Sequence, residues 1–247
     1  MESQADDPNN RVYNPYNLGT WSSVSDVDTF LSRFNHTSAY KDSNTKLRLG
    51  NYVTIKDGTY NQIWEIAGFD MEYKQKAADG TTYDNGYGIC LVLQTQVTTA
   101  KWNVSNTVQG GYKASTMHTS TLPTIVSNLE RVLGNHIVNR NVLLSSSVDS
   151  NDRSNAYTWT TSKATLISVG QLTGMFKTYQ SKYDDGEANY KLPIFNFKEY
   201  YTGSEFWLRG IWGHDSYYRV LRVNSNGSIT PGTVNLTYGV RPLIYLR

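Results

Sequence analysis

The sequence predicts an α+β domain: a mainly antiparallel, twisted sheet with one or two packed helices and long loops. Three observations lead there. One stretch, Leu122–Ile137, carries apolar residues at helical spacing. Several short β-type runs, rich in branched and aromatic residues, are separated by turn dipeptides. The composition favours Tyr, Thr, Gly and Asn, which strands and turns favour in turn.

Taken in order, residues 1–20 are polar and turn-rich, with Asp7-Pro8-Asn9-Asn10 and Asn14-Pro15. They read as the start of an attachment arm with little core of its own. Ser25 or Asp26 can cap a short helix with Val27, Phe30, Leu31 and Phe34 on its apolar face. The expected division is an arm over 1–45 and one domain over 46–247. Strand-like runs follow at Tyr52–Ile55, Gln62–Phe69 and Ile89–Gln94, the last two joined by the turn-rich segment Tyr73–Gly88.

The Leu122–Ile137 helix has Thr121 as its expected N-cap, Pro123 suited to its first helical position and Gly134 near its end. Its stripe of Leu122, Ile125, Val126, Leu129, Val132, Leu133 and Ile137 predicts packing on a core. A weaker helical pattern runs from Ser162 to Phe176, interrupted by Gly170 and Gly174. Near the C-terminus, Phe206–Arg209 and Tyr218–Val223 read as strands. Asn226-Gly227 signals a hairpin with a type I′ turn. Val240–Leu246 is the closing strand and is expected inside the sheet.

Charge and cysteine content narrow the function classes. The chain of 247 residues carries 23 basic and 21 acidic residues, a net +2. That balance lacks the basic stripe of a nucleic-acid binder. No run approaches the roughly 18 apolar residues of a membrane span, so no membrane insertion is expected. The first residues, Met-Glu-Ser-Gln-Ala-Asp-Asp, lack a basic region followed by an apolar one, so folding in a cytoplasm is expected. The single cysteine, Cys90, sits in Ile89-Cys90-Leu91-Val92-Leu93 and reads as a small buried hydrophobe. Only 18% of residues are charged, against 19 Tyr, 6 Trp and 19 Gly. Tyr, Trp, Ser, Gly and Asn are the residues of recognition surfaces, although a turn-rich β protein enriches several of them too.

No catalytic set emerges. His36, His118, His136 and His214 are scattered, without metal-ligand spacing. No phosphate loop and no nucleophile elbow is present. Two carboxylates suffice for a glycosidase, with Asp184, Asp185 and Glu187, or Asp149 and Asp152, as candidates. With Gly186 among them, these candidates read as solvated turn carboxylates. The run Asp184–Asn189 has oxygen ligands for calcium but lacks full EF-hand spacing. No cofactor or metal is assigned.

Phe206-Trp207-Leu208-Arg209 and Tyr238-Gly239-Val240-Arg241-Pro242-Leu243 form an ordered pair of motifs. Gly110–Met117, Asn141–Ser146, Tyr157-Thr158-Trp159 and Leu192-Pro193-Ile194-Phe195 accompany them. From about Leu47 onward, this order resembles a family of phage virion and bacterial surface domains marked by a WLR…GVRP signature. The resemblance implies a C-type-lectin-like fold similar to that of formylglycine-generating enzymes. It carries over no oxidase activity, since Cys90 is the only cysteine. Related domains serve as receptor-binding or displayed variable proteins, with substitutions concentrated ahead of the closing motif, here about Ile211–Tyr238.

Within that window, Trp212, His214, Asp215, Tyr217, Tyr218, Arg219, Asn224, Asn226, Asn235 and Tyr238 crowd aromatics among polar groups. Such sets suit hot-spot binding. For Tyr218 the plain alternative is core, and for Asn226 a role in its turn. Trp207 and Arg241 are assigned to the fold, Arg241 paired with a carboxylate or with backbone carbonyls. The leading expectation is a virion protein that binds a host-surface protein or glycan. Its arm would hold it to other virion proteins, and a homo-oligomer is expected. Two alternatives stand beside it: a capsid decoration or tail-assembly protein, and a carbohydrate-active enzyme.

Overall fold

The computed structural model describes residues 15–32, 48–58, 60–71, 74–76, 81–148, 155–174, 191–212 and 218–247. In chain order the elements are β1 (Asn17–Trp21), α1 (Val24–Leu31), β2 (Tyr52–Asp57), β3 (Tyr60–Phe69), β4 (Lys74–Lys76) and β5 (Thr82–Asp84). Then come β6 (Ile89–Leu93), β7 (Thr98–Lys101), α2 (Gly111–Ala114), α3 (Leu122–Leu133), β8 (Arg140–Val148), β9 (Asn155–Ser162) and β10 (Ala164–Leu166). Last are α4 (Val169–Thr173), β11 (Phe206–Ile211), β12 (Arg219–Val223), β13 (Ile229–Thr233), β14 (Thr237–Val240) and β15 (Pro242–Leu246).

These elements make an α+β architecture of mixed sheets with two main helices, α1 and α3. A six-stranded sheet runs β1-β2-β3-β6-β15-β10, and a five-stranded sheet runs β13-β12-β11-β14-β7. β4-β5 and β8-β9 are separate hairpins. Most neighbours are antiparallel; β1 with β2 and β11 with β14 are parallel.

The six-stranded sheet has a core on each side, which is why β6 is apolar throughout rather than alternating. Ile89, Leu91 and Leu93 face one core together with Trp64, Ile244 and the buried side of α3. Cys90 and Val92 face the other, with Leu243, Tyr245, Ile194 and Phe195. Cys90, the single cysteine, is fully buried. Six residues of the α3 stripe are buried, each contributing about 1.5–3 kcal/mol relative to exposure.

Several local expectations change. Thr121 is helical rather than a cap, because a π-helical turn at Met117–Thr121 leads straight into α3. α3 ends at Leu133, where Gly134 takes positive φ. Ser23, not Ser25 or Asp26, caps α1, in a reciprocal box with Asp26. The Ser162–Phe176 pattern is no single helix. It divides into the end of β9, then β10, then α4, which Ser168 caps and Gly174 ends; residues 175–176 lie outside the described residues. The described part of the segment read as an arm packs on the main body. β1 pairs with β2, and Trp21 and Val27 are buried in the first core.

The closing strand is also two strands. β14 belongs to the five-stranded sheet and β15 to the six-stranded sheet, where it lies between β6 and β10. The chain changes sheet at Arg241. No described helix is long and apolar enough to cross a membrane.

Candidate functional site

The C-terminal window is built on β11, β12, β13 and β14, and its centre is the indole of Trp207. This side chain is fully buried, and its Nε1 donates to the Ala100 carbonyl at 2.8 Å. β13 crosses over it at Gly232, where a Cβ would lie 2.9 Å from the indole. Tyr238 meets it edge-on, centroids 4.7 Å apart and planes at 88°. The guanidinium of Arg222 lies over the Tyr238 ring at 4.4 Å, and Arg222 Nη1 approaches Glu205 Oε1 to 2.9 Å. Arg222 Nε and Thr230 Oγ1, a cross-strand neighbour, are buried without a hydrogen-bond partner among the described residues. The result is a polar and aromatic cluster resting on a rigid indole, with Tyr238, Arg222 and Glu205 partly open.

The chosen residues fall in different places. His214, Asp215 and Tyr217 lie outside the described residues. Tyr218 and Tyr238 pack against the first core, whereas Trp212 packs against the second. Among the described residues, Trp212 thus lies on the opposite side of the five-stranded sheet from Tyr218 and Tyr238. The cause is strand alternation, since Trp207 and Val220 point into the first core and Phe206, Leu208 and Leu221 into the second. Arg219 stands beside Trp212, whose backbone N–H donates to the Arg219 carbonyl at 3.0 Å. Its guanidinium lies 5.6 Å from the Tyr218 ring. Asn235 is half-buried in the turn from β13 to β14, next to the exposed Leu236.

Asn224 has a structural task. Its Oδ1 accepts from the N–H groups of Asn226 (3.2 Å) and Ser228 (2.9 Å) and so closes the β12–β13 loop. That loop is not a type I′ turn. Gly227 N–H donates to the Asn224 carbonyl, Asn224 N–H donates to the Ser228 carbonyl, and only Gly227 has positive φ. This is the three-residue hairpin loop with glycine in the left-handed region.

Sequence reasoning passed over Glu205, Thr230 and Gly232, and placed Arg222 only as a strand residue. Glu205 meets Arg222 across the β11–β12 pairing, a relation of register that no local pattern carries. Arg241 matches its expected fold role. It is fully buried, with Nε and Nη2 on the Leu93 carbonyl (3.0 and 2.8 Å) and Nη1 on the Tyr200 carbonyl (2.6 Å).

The carboxylates weighed for hydrolysis or calcium, Asp149, Asp152, Asp184, Asp185 and Glu187, lie outside the described residues. Among the described residues, no cluster of His, Cys, Asp and Glu has the arrangement of a metal site. In comparisons with protein-family models, curated proteins and solved structures, nothing matches this chain.

Proposed function

We propose that this protein is a non-enzymatic binding module of a phage particle, with a C-type-lectin-like domain that contacts a host-surface ligand. The observation that carries the reading is the Arg222–Tyr238–Glu205 cluster on the Trp207 indole. Arg and Tyr are the usual anchors of recognition, and here a sheet holds them, so little ordering remains to be lost on binding. The ordered Phe206–Arg209 and Tyr238–Leu243 motifs support the same family reading. Attachment to other virion proteins through the N-terminal segment, and a homo-oligomer, belong to the same proposal.

The test compares adsorption of the purified chain to host cells with its thermal unfolding. Arg222→Ala together with Tyr238→Phe should weaken adsorption by about 2 kcal/mol or more. The melting transition should move much less, because both substitutions spare Trp207. Unchanged adsorption of the folded double variant would place recognition elsewhere, and a capsid-decoration or tail-assembly role would then lead.

A further inference from the structure

Glu65 is a carboxyl in an environment that carboxyls avoid. It sits within β3 at 1% exposure, paired across the sheet with Tyr52 of β2 and Val92 of β6. Its Oε1 accepts a hydrogen bond from Gln94 Nε2 at 3.0 Å. Its Oε2 is buried with no hydrogen-bond partner among the described residues. A neutral carboxyl tolerates that state far better than a carboxylate does. Burial pushes the Glu65 pKa up to about 7, against the opposing pull of the Gln94 hydrogen bond and the Arg241 charge.

Arg241 is the charged group acting on Glu65 among the described residues. The strand partners of Glu65 are Tyr52 and Val92, and its hydrogen-bond donor is the neutral amide of Gln94. Burial lowers Arg241 to about 10, with Glu65 opposing the fall, so the guanidinium is cationic at neutral pH. Its hydrogen bonds nevertheless go to the carbonyls of Leu93 and Tyr200. Arg241 thus fastens three things together: the end of β6, the turn at Lys198–Tyr200, and the β14–β15 crossover that contains it. The same turn leads to Tyr201 and Gly203, on which the Asn224–Ser228 loop rests. Gly203 N–H donates to the Ser225 carbonyl at 2.8 Å, and a Cβ on Gly227 would lie 3.0 Å from the Tyr201 ring.

We propose that Glu65 is a proton-operated lock on the crossover between the two sheets. The neutral carboxyl leaves Arg241 on the Leu93 and Tyr200 carbonyls. Loss of its proton to solvent draws the guanidinium toward Oε2, because opposite charges in a poorly polarisable interior attract more strongly than a cation and a carbonyl. The Tyr200 attachment then slackens, and with it the support of the Asn224–Ser228 loop. Raising the pH through neutrality therefore loosens one border of the C-terminal face, whatever that face binds.

The test is a titration of the full chain by NMR from pH 5 to pH 9, following the Glu65 carboxyl carbon and the Arg241 Nε–H. Both signals should move with one midpoint near neutrality, and the Arg241 signal should stand still in Glu65→Gln. Thermal unfolding supplies the second reading. The folded-state pKa lies above the ordinary 4.5, so the stabilisation is complete below that value and is lost as pH rises toward 7. Between pH 5 and pH 8 the wild type should lose, relative to Glu65→Gln, on the order of 10²-fold in its folding equilibrium. Titration of Glu65 in the ordinary carboxylate range would overturn the proposal. So would an Arg241 signal identical at both ends of a normal Glu65 titration. If Glu65→Gln does not fold, the wild-type titration decides alone.

Discussion

At the scale of single residues, the C-terminal motifs are explained by what their side chains touch. Trp207 supports Tyr238, lies beneath Gly232 and donates to Ala100. Trp207→Ala should destabilise the fold by about 3–5 kcal/mol. Trp207→Phe keeps much of the packing but loses the donor to Ala100, a loss worth about 1–3 kcal/mol. Chemical denaturation midpoints of the two variants would separate these contributions, and equal losses would refute the role given to the indole N–H. Gly239 is a glycine for a different reason. A Cβ there would lie 2.6 Å from the Glu205 carbonyl and 2.1 Å from Gln96 Oε1. Gln96 can turn aside, but the backbone of Glu205 can yield only by moving the start of β11.

At the scale of elements, the β12–β13 loop makes a sharp contrast. Gly227 has φ of 86°, and a Cβ on it would lie 3.0 Å from both Tyr201 and Thr202. Gly227→Ala should therefore destabilise by more than the roughly 1 kcal/mol of backbone strain alone. Asn226 keeps a negative φ and is exposed, and its Oδ1 contact to Ser228 N–H duplicates one from Asn224. Asn226→Ala should thus stay within about 0.5 kcal/mol. A type I′ turn, with positive φ at Asn226, would reverse that expectation, and a pair of melting curves distinguishes the two. In α3, Leu129 is fully buried in the first core, so Leu129→Ala should cost about 2–5 kcal/mol.

At the scale of the whole molecule, two titratable groups, Glu65 buried and His118 half-buried, shape the pH dependence in opposite directions. Glu65, held near 7 by burial, makes the folded state less stable as pH rises. His118 works the other way. Burial lowers its pKa, aided by the charges of Arg209 and Lys113 and opposed by the contact with the Lys113 carbonyl. The folded protein then resists protonation at His118, and stability falls as pH drops below the ordinary 6.5. Thermal unfolding across pH should show Glu65→Gln flattening the alkaline loss and His118→Gln flattening the acid one. If neither variant changes the profile, other groups control it.

What the sequence determined by itself is the set of features written in short periods. The α3 stripe, the doubly buried run of β6, the glycine of the β12–β13 loop and the fold roles of Trp207 and Arg241 could all be read from neighbouring residues. Each depends on local geometry: 3.6 residues per helical turn, two per strand repeat, and the left-handed freedom of glycine. The tertiary structure decided what depends on distant pairing. It split Val240–Leu246 between two sheets at Arg241, because the Leu93 and Tyr200 carbonyls that hold that guanidinium come from remote parts of the chain. It sent Trp212 and Tyr238 into different cores, since the register that sets Gly239 beside Phe206 puts Tyr238 on the Trp207 face, a pairing with no local signature. It also brought Glu205, Arg222 and Tyr238 together around a buried indole. Local periodicity tells which way a side chain points along its own strand; strand order tells what it meets.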